Sequence, residues 1–385
     1  MSHTQVPMFK LLVIGLLFAV PCSAASQVSN TGSVHSWTLS PSPVIEIGAA
    51  EHEGPDLFGQ VVGVVRTSDG HIAVADGLTR ELRVFDLAGQ HIATAGRVGE
   101  GPGEFRTMRP PMRCAEDSVF VWDPNLQRVS VFTSAGDYAR SFRDASVRAA
   151  HPDWPGWKMT CNREGVVVAS TRNVSDLRPV HEGPTRIEMG IQLTSLRSGA
   201  GVDLGRVPGD EFYFAQGTLA PRPLGMMTLV AIGSSRIYVS TGDDFRISVF
   251  TLDGDRLDPI GEPLTRVPLN RRRVDAFIDE AVRTSRNGEK ARSFYQGLEY
   301  PDKLPCYSQL LVDPDENLWV ELYAEPGDHG GRSWRVYDRE GSLESQVQMP
   351  RGFEVFEVGG DYVLGVWRND VGVDFVRMYN LTKPD

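Results

Sequence analysis

Two similarly patterned stretches, 47 residues apart, constrain the fold of this chain more than any other feature. Residues 69–89 read DGHIAVADGLTRELRVFDLAG, and residues 117–136 read DSVFVWDPNLQRVSVFTSAG. Each has a turn, an alternating strand ending in Asp, a loop with Arg, a second alternating strand ending in Phe, and a turn with Gly. Period-two alternation between turn residues is typical of antiparallel strands. A repeat of this length indicates the blades of a β-propeller.

The pattern recurs with more variation in four later units, at 164–171 with 190–199, 235–254, 316–323 with 333–341, and 360–367 with 373–381. An apolar segment precedes each unit and another follows it, which makes four strands per unit. A four-stranded blade cannot bury both faces alone, and a ring of blades solves this problem. The sequence therefore predicts an all-β, six-bladed β-propeller with four antiparallel strands per blade.

The two ends of the chain predict how this ring closes. The sixth unit lacks an outer strand, whereas SPVIEIG at 42–48 has no partner before the first unit. An N-terminal strand that completes the last blade removes two open sheet edges. We therefore predict that 43–48 pairs with 373–381 and that the propeller occupies 42–385.

A glycine-rich stretch, GRVGEGPGEFRTMRPP at 96–111, has the composition of a phosphate loop or of a turn. A phosphate loop needs a helix directly after the glycines, and Pro110 and Pro111 block one. The stretch follows HIATAG, the outermost strand of the first blade. The sequence therefore favours a crossover to the second blade, with Phe105 packed between the two blades.

The blocks VAD, LRVFD..G and G..G.GPGEF within the first unit resemble an NHL-type repeat. The chain also resembles a group of exported bacterial six-bladed β-propellers with a late aromatic LWV strand, here 318–320. The resemblance is strongest over 57–142 and weaker over 233–255. It implies the six-bladed fold. It leaves the function open, because these propellers include scaffolds, sensors and a few enzymes.

The N-terminus has the composition of an export signal. Lys10 precedes the apolar run LLVIGLLFAV and the small residues of PCSAAS, which predicts a signal peptide at 1–25 and a leader at 26–41. Pro21 directly before Cys22 disfavours a lipoprotein anchor. The net charge of −11 disfavours nucleic acid and anionic lipid as partners. We expect an exported protein, periplasmic or secreted, with no transmembrane segment.

Three cysteines remain after signal removal. Aligning IAVAD, VFVWD and VVVAS places Thr67, Cys114 and Cys161 at one equivalent position, so the two cysteines are predicted to be neighbours on adjacent inner strands. A disulfide requires Cα atoms within about 7 Å. Proximity is the prediction, and whether a disulfide forms stays open. Cys306 has no such partner in this alignment.

One insertion between the fourth and fifth blades, about 266–304, is predicted to be helical. VDAFIDEAVRT at 274–284 carries apolar residues at helical spacing, and Asn287-Gly288 is a stop signal.

The chemistry-bearing motifs are sparse. There is no G-x-S-x-G elbow and no H-E-x-x-H sequence, and the histidines fall outside the predicted inner strands. A calcium-dependent hydrolase or lyase with its site at the central channel is the alternative to a binding protein. Its candidate ligands are Glu354, Glu357 and Asp313, which are too few to assert a site. We expect no cofactor, with calcium as the alternative.

The insertions are predicted to lie on one face of the disc. Loops after the first and third strands of each blade open on one face and are uniformly short. Loops after the second strand, and the crossovers between blades, open on the other, which we call the long-loop face. It holds every long insertion, at 171–186, 207–223, 262–307 and 323–332.

Insertions that are confined to the loops of one face indicate a contact surface. The candidate ligand-binding residues on it are Arg80, Arg128, Arg172, Asp76, Asp123 and Trp367. Arginines suit a carboxylate-bearing ligand. Alternatively, the two aspartates accept backbone N–H bonds in turns and the arginines brace them. The favoured function is binding of a protein, peptide or carbohydrate without chemistry of its own. A purely structural envelope component is a third possibility.

Overall fold

The computed structural model describes residues 36–50, 54–143, 156–172, 182–215, 218–262, 265–285, 287–328 and 330–383. The predicted signal peptide and the first part of the leader lie outside these residues. The described part of the chain forms six antiparallel sheets, two α-helices and one short 3-10 helix, Ala115–Asp117. In the described residues, neither α-helix is long and apolar enough to cross a membrane.

The first three sheets follow one another in the chain. Sheet 1 contains β3 (Val61–Arg66), β4 (Ile72–Asp76), β5 (Glu81–Phe85) and β6 (His91–Ala95). Sheet 2 contains β7 (Met112–Arg113), β8 (Val119–Asp123), β9 (Arg128–Phe132) and β10 (Tyr138–Phe142). Sheet 3 contains β11 (Gly156–Cys161), β12 (Val166–Arg172), β13 (Gly183–Ser195), β14 (Gly201–Ala215) and β15 (Thr218–Pro221).

The other three sheets complete the chain and take up its N-terminal strands. Sheet 4 contains β16 (Leu229–Ile232), β17 (Arg236–Ser240), β18 (Ile247–Thr251) and β19 (Arg256–Ile260). Sheet 5 contains β20 (Tyr307–Val312), β21 (Leu318–Leu322), β22 (Ser333–Tyr337) and β23 (Leu343–Gln348). Sheet 6 contains β24 (Phe353–Val358), β25 (Tyr362–Arg368) and β26 (Asp374–Thr382), with β1 (Thr38–Leu39) and β2 (Ile45–Ile47) paired to β26.

The sheets are packed against one another in a ring. Their innermost strands contact in the order β3, β7, β11, β16, β20, β24 and back to β3. One hydrophobic cluster lies between each neighbouring pair of sheets, including sheets 6 and 1. Since alternate side chains of a strand point to opposite faces, each sheet contributes to the cluster on either side of it. This all-β arrangement is that of a β-propeller.

The N-terminal strand closes sheet 6 as predicted. Ile45 pairs with Met378, and Ile47 pairs with Val376, both in antiparallel register. The leader adds a second short pairing, because Leu39 of β1 lies opposite Leu381.

The predicted proximity of the two cysteines is confirmed. Cys114 follows β7 and Cys161 ends β11, and their Cα atoms lie 5.7 Å apart. The two residues form a disulfide that joins the innermost strands of sheets 2 and 3. Cys306 is buried and free, and burial raises the pKa of its thiol to about 12.

The glycine-rich stretch is a crossover between sheets 1 and 2, as predicted. Phe105 is fully buried in the cluster between these sheets, and its ring stacks on Phe132 at 6.1 Å. The side chain of Glu104 accepts the Gly101 N–H at 2.8 Å and pairs with Arg97. That hydrogen bond, followed by the one from Arg97, holds the pKa of Glu104 below its usual value. The glycine-rich loop therefore binds the carboxylate of its own Glu104, at the place where a phosphate loop would bind an anion.

Two details of the insertions differ from the sequence predictions. Helix α1 spans Arg271–Thr284, as expected. Asn287 lies after this helix and has a second role. Asn287 caps a second helix, α2 (Gly288–Gln296), by accepting the Lys290 N–H. The segment 207–223, predicted to be a loop, is instead the long end of β14 with β15 paired to it. Bulges interrupt the pairing of β13 with β14, which hides the strand from a strict period-two pattern.

Candidate functional site

The two faces of the ring are built differently. On the short-loop face, turns of neighbouring sheets bind each other. Asp117 in sheet 2 accepts the Ser68 N–H of sheet 1 at 2.9 Å and its hydroxyl at 2.7 Å. Glu316 in sheet 5 likewise accepts the N–H groups of Ser234 and Ser235 of sheet 4. These two carboxylates are therefore bound by donors of the neighbouring sheets.

Long insertions occupy the long-loop face and contact one another. Arg222, at the end of the sheet 3 hairpin, donates to the Glu299 carbonyl of the helical insertion at 3.2 Å. Arg273 of α1 forms an ion pair at 2.6 Å with Glu325 in the loop after β21. Ile278 of α1 is almost fully buried. Segments from sheets 3, 4 and 5 therefore form a continuous surface.

The same face carries most of the exposed large hydrophobic side chains. Six lie in its loops and crossovers: Leu57, Leu78, Val98, Met227, Phe294 and Val371. Val371 is 83% exposed and Leu78 is 63% exposed. In the described part of the chain, Leu87 is the one such residue in a short loop, and the others, Val44, Ile92 and Tyr138, lie at outer strands. Six of the ten exposed large hydrophobic side chains of the described residues therefore lie on the long-loop face.

A pocket of about 400 Å³ lies within the helical insertion. Val274, Ile278, Leu298 and Pro301 give it apolar walls. Its polar lining includes Asp302, which is exposed. A pocket of this size accommodates one side chain or a small molecule.

The two candidate aspartates are buried and hold turns. Asp76 accepts the N–H groups of Gly59 and Leu78, at 2.8 and 2.9 Å. Asp123 occupies the equivalent place in sheet 2, where Arg106 and Asn125 donate at 2.8 and 2.9 Å. This geometry is the turn-stabilising alternative considered for these residues.

The candidate arginines Arg80 and Arg128 meet at the glycine-rich crossover. Arg80 donates through Nε to the Arg106 carbonyl at 3.0 Å. Arg128 donates to the carbonyls of Gly101 at 3.0 Å and Glu104 at 2.6 Å. The Arg128 guanidinium therefore holds the crossover in place.

The other two candidates lie apart from that crossover. Arg172 is the last residue of β12 in sheet 3. Trp367 of sheet 6 is partly buried, donates its Nε1–H to the Arg351 carbonyl at 3.1 Å, and stacks under the Arg377 guanidinium at 3.6 Å. A role in ligand binding for the six residues stays a prediction.

Glu357, one of the three carboxylates proposed as calcium ligands, is occupied by donors of the protein. Glu357 accepts the Arg66 N–H at 2.7 Å and the Tyr362 hydroxyl at 2.6 Å, and it lies 3.6 Å from Arg113.

Asp313 holds the β20–β21 turn. It accepts the Asn317 N–H at 2.9 Å, the Trp319 indole N–H at 3.1 Å, and a bond from Lys383 at 3.2 Å. In the described residues, no three His, Cys, Asp or Glu side chains form a group that could hold a metal ion. Glu354, Glu357 and Asp313 therefore do not form one group of ligands in the described residues.

Glu354 is different, because it reaches solvent near the end of β24 that opens on the long-loop face. No described residue donates a hydrogen bond to it. Burial by the surrounding protein raises the pKa of Glu354. The charges of Arg332 and Arg368 lower it, and those of Glu321 and Asp374 raise it further.

Sequence reasoning did not single out the four residues whose charges act on the pKa of Glu354. They come from β21, β25, β26 and the loop before β22, so no local motif contains them. The sequence does show a charged residue at the end of each of these strands that opens on the long-loop face.

The chain matches no family model and no curated protein. Among solved structures, it is similar to a member of the DUF4221 family from Bacteroides vulgatus, at 11% identity and a TM-score of 0.50, covering 91% of this chain and 100% of that one. It is also similar to regucalcin, a calcium-binding protein from Agrobacterium tumefaciens, at 10% identity and 0.44, covering 91% and 97%. Virginiamycin B lyase from Staphylococcus aureus gives 9% and 0.39, covering 91% and 100%. At these identities the likeness concerns the fold alone.

Proposed function

We propose that this chain is an exported, NHL-type, six-bladed β-propeller that binds a protein partner through its long-loop face and carries out no chemistry of its own. The six sheets would be its complete set of blades. Export rests on the signal composition of 1–25. Of the ligand classes considered, a protein is favoured over a carbohydrate, because the exposed side chains of this face include many aliphatic ones.

The observation that supports this proposal most directly is the contrast between the two faces of the ring. Leu78 and Val371 are largely exposed in long-loop-face turns, whereas the short-loop turns are tied to each other by Asp117 and Glu316. Burying an exposed aliphatic side chain contributes about 1.5–3 kcal/mol. Several on one face are sufficient to form the centre of an interface.

Charge substitution on this face tests the proposal. The variants Leu78→Glu and Val371→Glu should lose the partner recovered with the purified protein from the extracellular or periplasmic fraction, by about tenfold or more each. Both side chains are largely exposed, so we expect folding to be unaffected. Quantitative recovery of the partner on immobilised protein measures the effect.

Leu87→Glu is the matched control, because Leu87 is an exposed leucine in a short loop. It should retain the partner fully. Loss with Leu87→Glu, together with retention in the two long-loop variants, would mean that the wrong face has been assigned.

A further inference from the structure

The pocket in the helical insertion lies between two segments, the start of α1 and the chain that follows α2. The backbone ties these segments to each other, because the Leu269 N–H donates to the Asp302 carbonyl at 2.8 Å. The Arg266 guanidinium adds hydrogen bonds to the carbonyls of Lys303 and Leu304, both at 3.0 Å. The two sides of the pocket are therefore held at a fixed separation.

Aromatic rings join α1 to α2 and to the chain that follows it. The Phe277 ring of α1 meets the rings of Tyr295 and Tyr300 edge to face, with centroids 5.4 and 6.2 Å apart. Such pairs stabilise a structure beyond the burial of their surface. The Tyr300 hydroxyl donates to the Tyr295 carbonyl at 2.9 Å, so Tyr300 lines the pocket with its proton already used. These contacts make the pocket part of the folded insertion.

The interior of the pocket is apolar. Val274 and Ile278 are four residues apart on α1 and therefore lie on one face of the helix, and Leu298 and Pro301 line the pocket from the other segment. Ile278 is only 2% exposed, and the other three residues are half-buried. A pocket with these walls and a volume of about 400 Å³ suits one aliphatic or aromatic group, which gains free energy by leaving water.

Two residues of opposite charge line the same pocket, Arg271 and Asp302. Arg271 is 81% exposed and donates through Nε to Asp275 at 2.8 Å, which leaves its Nη groups without an acceptor among the described residues. An exposed ion pair of this kind is weak, so it does not prevent Arg271 from binding a second carboxylate. The Asp302 side chain is exposed, and no described residue donates to its carboxylate.

Asn270 adds hydrogen-bond donors next to Arg271. Asn270 caps α1, because its Oδ1 accepts the Arg273 N–H at 3.0 Å. It also lines the pocket, and its Nδ2 group donates to none of the described residues. The free donors therefore belong to the α1 side of the pocket, whereas the free carboxylate of Asp302 belongs to the other segment.

We propose that this pocket binds a free amino acid with an aliphatic or aromatic side chain. That side chain lies in the apolar interior, and the ammonium group pairs with Asp302. The carboxylate accepts hydrogen bonds from Arg271 and Asn270. A ligand with only a carboxylate is repelled by Asp302, and one with only an amine is repelled by Arg271, so the two charges select a zwitterion. The site is separate from Leu78 and Val371 and goes beyond the proposed function.

Titration calorimetry tests this assignment. L-leucine, L-phenylalanine or both should bind, and glycine should bind at least about tenfold more weakly, because it lacks the apolar side chain. Leucinamide lacks the carboxylate and N-acetyl-leucine lacks the ammonium group, so each should bind about tenfold more weakly than leucine, or less. If leucinamide binds as tightly as leucine, the ligand is the first residue of a chain, and if N-acetyl-leucine does so, it is the last. Either result overturns the proposal of a free amino acid.

Two variants assign each charge to its residue. Asp302→Asn should weaken the binding of leucine by about tenfold or more, but it should not weaken that of N-acetyl-leucine. Arg271→Gln should weaken leucine to the same extent, but it should not weaken leucinamide. Val274→Trp should abolish the binding of every probe, because it fills the interior. Arg283→Gln is the matched control, because it removes an arginine from an exposed ion pair of α1 outside the pocket, and it should bind leucine as the wild-type protein does.

The side chains of Arg271 and Asp302 are exposed, so we expect both charge variants to fold, which circular dichroism verifies. They keep the test decisive if Val274→Trp fails to fold. Equal weakening of leucine and both analogues by Arg271→Gln or by Asp302→Asn would show a structural effect and overturn the inference. Absence of binding of both leucine and phenylalanine to the wild-type protein would overturn it as well.

Discussion

Deletion of residues 42–48 should lower the free energy of unfolding by at least about 5 kcal/mol, because it removes two buried isoleucines from the cluster between sheets 6 and 1. Ile45 and Ile47 are 9% and 2% exposed in that cluster, and β2 covers the edge of β26. The deletion also removes the 2.6 Å ion pair between Glu46 and Arg377. Urea denaturation followed by circular dichroism measures the change.

Single substitutions within residues 42–48 give a matched pair of variants. Ile47→Ala should cost about 2–4 kcal/mol, since it leaves a cavity in the cluster. Val44→Ala should change the stability by less than about 0.5 kcal/mol, because the Val44 side chain is half exposed. A deletion variant that unfolds at the same urea concentration as the intact protein would contradict closure by this strand.

Loss of the disulfide between Cys114 and Cys161 should lower stability by about 2–4 kcal/mol, the effect expected for a closed loop of this length. The bond joins two sheets across 47 residues of chain, so its loss increases the freedom of the unfolded state. Comparing urea denaturation of the wild-type protein with that of the double variant Cys114→Ser/Cys161→Ser measures the effect.

Two controls accompany this experiment. A reductant should destabilise the wild-type protein but leave the double variant unchanged. The denatured, unreduced protein without residues 1–25 should expose one titratable thiol, that of Cys306. Three titratable thiols would show that the bond does not form.

Features that repeat along the chain were predictable from the sequence. The stretches IAVAD and VFVWD form strands β4 and β8, and both strands are fully buried. They are buried because a neighbouring sheet packs on each face of the sheet to which they belong. The same alignment placed Cys114 beside Cys161. The pairing of 43–48 followed from counting strands, since an unpaired edge is unfavourable in a closed ring.

Features that depend on packing between distant segments were not predictable. The sequence predicts Arg128 as a ligand-binding or turn-bracing residue, and in the structure its donors hold the Gly101 and Glu104 carbonyls of the crossover. Spacing alone cannot show which partner a guanidinium selects. Spacing likewise does not show that Arg332 and Arg368 pair with the buried carboxylates of Glu321 and Asp374.

The most direct test of the long-loop face as the binding surface is site-specific photo-cross-linking in cells that produce the protein. A photoreactive phenylalanine analogue replaces Leu78, Val371 or Leu87 in turn, and adducts of higher mass are identified after irradiation. All three side chains are exposed, so each probe reaches solvent. If the long-loop face is the binding surface, we expect adducts with one partner at Leu78 or Val371 and none at Leu87. Adducts at Leu87 alone would contradict it.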